Sequence, residues 1–287
     1  MTSIFAPYRR TAANVLGAII GLIVGMSATS GHTQGRLKAH YTISMTGVSI
    51  GQIAWLVAIS DQRYSTSANG KASGVLSILV NGEGSVDTRG NIDDGRLAPK
   101  FFTSNITDDE GKSELRMTFD DGMAKDQIGQ APPPKADRVP VTDVHRRGVA
   151  DPLTAMLVAD GGDALASANC NHVLSIFDGR RRYDLALSFK RIDKIKIERS
   201  YSGFVLVCGV ILQPIAGYRA DSLLVKYVAG RRDMELWFAP ITGTSIIAPI
   251  RVLMPTLIGA LEITADQFDA VATPPSPVTP APGETPR

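Results

Sequence analysis

From residue 36 onward, apolar and polar positions alternate with a period of two. In RLKAHYTISM, Leu37, Ala39, Tyr41, Ile43 and Met45 share one face while Lys38, His40, Thr42 and Ser44 share the other, the pattern of a half-buried strand. The same rule predicts strands in GQIAWLVAIS, RYSTSAN, ELRMTF, HVLSIF, RYDLALSF, KIKIERS, FVLVCGVIL, SLLVKYV and DMELWFAPI, joined by short polar or glycine-containing turns. In RYDLALSF the inward set is Tyr183, Leu185, Leu187 and Phe189, with Arg182, Asp184 and Ser188 outward. Strands this short and evenly spaced predict a mainly β fold, an antiparallel meander forming a curved open roll or a closed barrel with one or two short helices.

One helix is expected in DPLTAMLVA, where Asp151 suits the N-cap, Pro152 the first helical position, and Leu153, Met156 and Leu157 recur at helical spacing. A second candidate, GVLSILV at residues 74–80, has an apolar run too short to separate helix from strand. The proline-rich GQAPPPKADRVPV reads as a crossing loop near residues 129–150 within one domain of residues 31–271, two small domains being the alternative. Residues 272–287, with the composition ATPPSPVTPAPGETPR from Ala272, cannot bury a core and are expected to form a disordered tail.

The N-terminus has the three parts of a secretory signal. Arg9 and Arg10 precede an apolar or glycine run from Val15 to Met26, and Ala28 and Ser30 offer small residues for cleavage. That run is shorter than the roughly 17–25 residues needed to span a bilayer, so residues 1–30 are expected to be removed, an uncleaved anchor being the alternative. Pro249, Arg251 and Pro255 interrupt the apolar segment near the C-terminus, and no spanning segment is expected after cleavage. The chain has 30 Lys and Arg against 28 Asp and Glu; losing Arg9 and Arg10 brings the two signs into balance, which excludes a nucleic-acid binder that relies on global charge. The expected compartment is the periplasm.

Two cysteines, Cys170 and Cys208, fall in regions read as neighbouring strands. In an oxidising compartment such a pair is expected to form a structural disulfide, and the absence of C-x-x-C spacing argues against a redox couple. Between alternating runs, Asp178-Gly179 marks a hairpin turn. Three arginines, Arg180, Arg181 and Arg182, follow it, and a second turn carries Arg231 and Arg232. A simple meander puts both turns at one end, where the five guanidinium groups form a candidate anion-binding rim for phosphate or carboxylate; ordinary solvated turn tips are the competing reading. The four histidines, His32, His40, His145 and His172, show no metal-ligand spacing, and no nucleophile, zinc or phosphate-loop motif is present. No catalytic residue, metal or cofactor is expected, and the chain is expected not to be an enzyme.

The segments YTISMTGVSIGQIAW, DPLTAMLV, CNHVLSIFDGRRRYDL and YSGFVLVCGVILQPIAGY together resemble the exported proteobacterial family catalogued as domain of unknown function 3108. The resemblance spans roughly residues 36–270. It implies a Gram-negative envelope protein and carries no assigned activity or site residue. A looser analogy connects the meander with the β-rolls of periplasmic lipoprotein carriers, although fold analogy does not establish function. The leading expectation is a non-enzymatic envelope β-roll that holds a lipid, lipopolysaccharide or other amphiphile in an apolar cavity beneath the arginine turns. The alternatives are a scaffold that docks an envelope protein through a sheet edge or the proline-rich tail and, last, a hydrolase of envelope polymers. A filled interior with the two arginine turns apart would remove both the cavity and the rim.

Overall fold

A computed structural model describes residues 34–73, 82–108, 111–129 and 137–273. The expected signal, the tail beyond residue 273 and the 74–80 candidate helix lie outside these residues. The described residues belong to one compact unit, His32–Arg287.

A single antiparallel sheet runs nearly full circle. Its N-terminal half is β1 (Gly35–Met45), β2 (Val48–Ile59), β3 (Arg63–Ala72), β4 (Gly82–Asp93), β5 (Arg96–Asp108), β6 (Gly111–Asp120) and β7 (Met123–Ile128). Its C-terminal half comprises β8 (Val158–Ala159), β9 (Val173–Phe177), β10 (Arg182–Lys196), β11 (Ser202–Ala216), β12 (Met234–Pro240), β13 (Ile246–Thr256) and β14 (Gly259–Ala272). The order is β7-β6-β5-β4-β3-β2-β1-β14-β13-β12-β11-β10-β9, with β8 paired to β13. First and last strands thus meet in the middle of the sheet, leaving β7 and β9 as its edges. Residues 147–150 hydrogen bond to both: Val149 N donates to Gly122 O at 3.2 Å, Ala150 N to Ser175 O at 2.9 Å, and Phe177 N to Ala150 O at 2.9 Å. The expected crossing loop therefore straps the roll shut and covers edges that would otherwise present unpaired backbone groups.

The interior is filled. Leu37, Ala39, Tyr41, Trp55, Val57, Ile59 and Tyr64 from the first three strands pack with Val205, Val207, Ala239, Ile241, Ala248, Ile250 and Phe268. The helix α1 (Pro152–Ala155) packs against β3, β4, β5 and β9, with Leu153 joining this cluster. Many of these side chains are within one or two per cent of complete inaccessibility, which leaves no ligand-sized void beside them. A second cluster, including Leu206, Leu236, Phe238, Ile247 and both cysteines, covers the opposite face of β11–β13. This two-sided burial explains the nearly continuous apolar run FVLVCGVIL.

Three local expectations change. SLLVKYV is not a strand but the helix α2 (Leu223–Gly230), capped by Ser222, which accepts a hydrogen bond from Val225 N; Tyr227 and Val228, one residue apart, both reach the second cluster, as a helix allows and a strand would not. RYDLALSF and the first residues of KIKIERS form one continuous strand, β10, with an irregularity between Phe189 and Arg191, and at that break Phe189 is exposed rather than inward. The DPLTAMLVA helix is confined to the single turn of α1, because Val158 and Ala159 leave it to pair with Ile247 and Ile246.

Candidate functional site

The two arginine turns make separate local contacts. Asp178 Oδ1 accepts from Arg180 N and Arg181 N at 2.8 and 2.6 Å, which fixes the turn. Gly179 (φ 90°) and Gly217 (φ 81°) let it pack closely, since a Cβ on Gly217 would stand 1.9 Å from Arg180 O. Arg180 donates to Ser113 Oγ at 2.7 Å across the seam between β6 and β9. Arg182, expected outward, is buried, donating to Asp184 and the Tyr183 carbonyl of its own strand. Arg231 pairs with Asp233 over the Tyr227 ring, and Arg232 donates to the Ala229 and Arg231 carbonyls. The two turns do lie toward the same end of the roll. Yet Arg182 is opposite Ala216 and Met234 opposite Val210, an offset of roughly 20 Å along β11 at about 3.3 Å per residue. With the interior filled, the apolar cavity beneath them is also absent from the fold as described.

The cysteines do form a disulfide, Cys170–Cys208, across 38 positions. It ties the 3-10 turn Ser167–Cys170 to β11 inside the second core cluster. His145 accepts from Thr142 N through Nδ1 at 3.1 Å in a local turn.

Two buried acids hold the frame. Asp151, the N-cap of α1, is fully buried and accepts from Leu153 N, Thr154 N, Thr154 Oγ1 and Thr88 Oγ1. Burial pushes its carboxyl above the ordinary range while the four donors oppose that rise. Glu235 accepts from Lys190 Nζ (2.8 Å), Arg191 Nη1 (2.9 Å) and Trp237 Nε1 (2.8 Å). The Arg191 guanidinium, helped by Lys190 and Trp237, holds Glu235 down at about 2. Arg191 and Arg251 each lie 5.0 Å from the centre of the Trp237 ring. Every member of these two groups is engaged within the protein, as a frame requires.

A broad polar surface lies on the outer face of β14 and β1–β5. Register aligns its side chains in four rungs. Thr42, Gln52, Lys71, Glu83 and Thr107 form the first; Gln267, His40, Ala54, Asn69, Ser85 and Asn105 the second. Asp269, Lys38, Leu56, Ser67, Asp87 and Thr103 form the third; Val271, Arg36, Ala58, Ser65, Arg89 and Phe101 the fourth. The twisted sheet makes this face a trough of three adjoining grooves, of about 810, 590 and 700 Å³. From first rung to fourth it extends about 20 Å along the strands. The third groove is lined by Arg36, Arg63, Arg89 and Lys100 and by no acidic residue. Among the described residues no ion pair engages any of these four cations. Phe101 stands 59% exposed in the same groove.

Arg36 and Arg63 open strands that the alternation marks, whereas Arg89 and Lys100 lie in β4 and β5, which it does not. The β4 sequence GEGSVDTRGNID carries three glycines and several Asp and Asn residues, all depleted in strands, and only cross-strand register brings Arg36 level with Arg89. The one available signal was the alternation in VDTRG, which puts Arg89 on the same face as Asp87.

Taken together, the fold is an antiparallel β-roll strapped nearly into a barrel, plugged inside and polar on one outer face. The chain belongs to the family described as protein of unknown function (DUF3108), whose profile matches residues 40–266. Among curated proteins no sequence matches it. It is similar to the crystal structure of a β-barrel-like protein of domain of unknown function DUF1849 from Brucella abortus, with 10% identity over 83% of this chain and 98% of that one and a TM-score of 0.45. Among the described residues no helix is long and apolar enough to cross a membrane.

Proposed function

We propose that the protein is a non-enzymatic, exported envelope protein that works from its outer face as a scaffold, holding an extended, hydroxyl-rich polymer that carries carboxylate or phosphate groups. The observation that carries this reading is the basic groove of Arg36, Arg63, Arg89 and Lys100, lined by no carboxylate and continuous with rungs that mix amides and hydroxyls with the carboxylates Glu83, Asp87, Asp266 and Asp269. Arg36 and Arg89 stand three strands apart, about 14 Å at 4.8 Å per strand. Such spacing suits anionic groups distributed along a chain rather than one small ion. Gln52, Asn69, Asn105 and Gln267 offer both donors and acceptors, the complement of hydroxyl groups that also do both, and Phe101 offers an apolar face for a sugar ring. The floor's backbone groups are spent in the ladder, so recognition falls to side chains. A periplasmic location is supported by the N-terminal signal pattern and by the disulfide, which persists in oxidising compartments. The filled core moves amphiphile binding out of the interior, and the strapped edges leave docking by strand addition little room at β7 and β9.

Isothermal titration with polygalacturonate and with its neutral methyl ester tests the reading. The acid is expected to bind and the ester not, with affinity falling as salt rises. The exposed double substitution Arg36→Ala/Arg89→Ala is expected to weaken binding at least tenfold without changing thermal unfolding. Equal binding of acid and ester, or indifference to the double substitution, would refute it.

A further inference from the structure

Hairpin turns in water are normally built from Gly, Asn, Asp, Ser and Pro, as at Asp94-Gly95, Asp121-Gly122 and Asp178-Gly179. The β13–β14 turn is not. Its outermost residues are Leu257 and Ile258, 55% and 79% exposed. They are not there through slack backbone, because Thr256 Oγ1 donates to Gly259 O at 2.7 Å and accepts from Ile258 N at 3.3 Å. Both aliphatic side chains are therefore held out in solvent. The β1–β2 turn abuts this one, with Thr46 N donating to Ala260 O at 2.8 Å, and presents Val48, 51% exposed. Neither residues 45–50 nor residues 252–261 include a charged side chain. On α2, which packs against β13, Leu223 and Leu224 are exposed as well.

Cations gather at the same end of the roll. Glu235 is opposite both Gly209 and Leu253, so β11 and β13 end in the same direction. The turns bearing Arg180, Arg181, Arg231 and Arg232 therefore lie at the end where Leu257 and Ile258 project. Among the described residues, the acids near these turns are mostly engaged. Asp233 pairs with Arg231, Asp137 and Asp221 pair with Arg219, and Asp178 accepts from turn amides. Arg181, Arg232 and Lys226 take part in no ion pair among the described residues. Protruding aliphatic tips at the same end as cations without ion-pair partners match an anionic lipid surface. The side chains enter the acyl boundary while the cations remain at the phosphates. A protein partner is the poorer fit, since narrow convex tips without aromatic anchors lack the broad complementary core of a stable protein interface.

We infer that this end of the roll is a peripheral docking surface for an anionic lipid leaflet, with Val48, Leu257 and Ile258 as the inserting groups. Both cysteines of the chain are in the disulfide, so one introduced cysteine can carry an environment-sensitive fluorophore such as NBD. In the full chain, Ile258→Cys and Asp94→Cys, the latter at the opposite end, are labelled and titrated with vesicles of phosphatidylethanolamine and phosphatidylglycerol in a 3:1 ratio. The label at 258 is expected to shift to the blue and brighten at least twofold, while the label at 94 stays in water. Leu257→Asp combined with the 258 label should reduce the response at least tenfold, with unchanged thermal unfolding. Arg181→Gln/Arg232→Gln should weaken it only for anionic vesicles. Binding of the chain with the 258 label still in water would overturn the inference, as would equal responses at 258 and 94. A blue shift without vesicles that grows with protein concentration would identify a second copy as the occupant instead and overturn it too.

Discussion

Removing the charge of Glu235 should destabilise the fold at neutral pH and leave it nearly unaffected in acid. Its carboxylate receives Lys190, Arg191 and the Trp237 indole and sits at about 2 rather than its ordinary 4.5. At 1.36 kcal/mol per pH unit, that difference corresponds to roughly 3 kcal/mol. Lys190 and Arg191 remain 34% and 41% exposed, so solvent screening reduces the expected contribution to about 2 kcal/mol. Because the folded value is depressed, the stabilisation is complete above about pH 4.5 and disappears as pH falls toward 2. Glu235→Gln keeps the shape and one acceptor oxygen while deleting the charge. Urea unfolding with the disulfide intact should give a loss of about 2 kcal/mol at pH 7, with parent and variant converging near pH 2. A loss of equal size at both pH values would show that packing, not the carboxylate charge, is what the residue contributes, and would refute the electrostatic account.

Replacing both Cys170 and Cys208 with serine should cost about 4 kcal/mol, the chain-entropy value for a loop of this length; reductant should lower the melting temperature of the parent and leave the variant unchanged. Asp151→Ala strips α1 of its cap and leaves the buried Thr88 and Thr154 hydroxyls without their acceptor, so a loss of about 3–5 kcal/mol is expected in thermal unfolding. Asp151→Asn, which retains one cap acceptor, should cost less than half as much.

How much of this was legible in the sequence depended on whether one strand or two carried the signal. The alternation of Leu37, Ala39 and Tyr41 marked β1 by itself, and the cysteines announced their bridge. The Asp178-Gly179 turn was equally plain. The trough was not, because Arg36, Arg89 and Phe101 come from strands far apart in sequence and become neighbours only through register. Glycine-rich β4 gave no strand signal of its own; its backbone is held between β3 and β5 by tertiary pairing that overrides local propensity. The error at SLLVKYV has a local cause: its apolar positions suit either period over so short a span, and only the Ser222 cap and the two-sided burial of β11–β13 select the helix. Arg182 was misplaced outward since an arginine beside a turn is normally solvated, whereas here Asp184, two residues on, gives it a partner on the same face.

In this account the acidic polymer is held by the outer trough and not by the interior or the arginine turns. Arginine side-chain Nε–Hε resonances report each site separately, and their chemical shifts during titration with an oligogalacturonate test the claim most directly. Arg36, Arg63 and Arg89 are expected to shift together and saturably while Arg180, Arg182 and Arg231 stay fixed. Shifts confined to Arg180, Arg181, Arg231 and Arg232, with Arg36 and Arg89 unmoved, would contradict it.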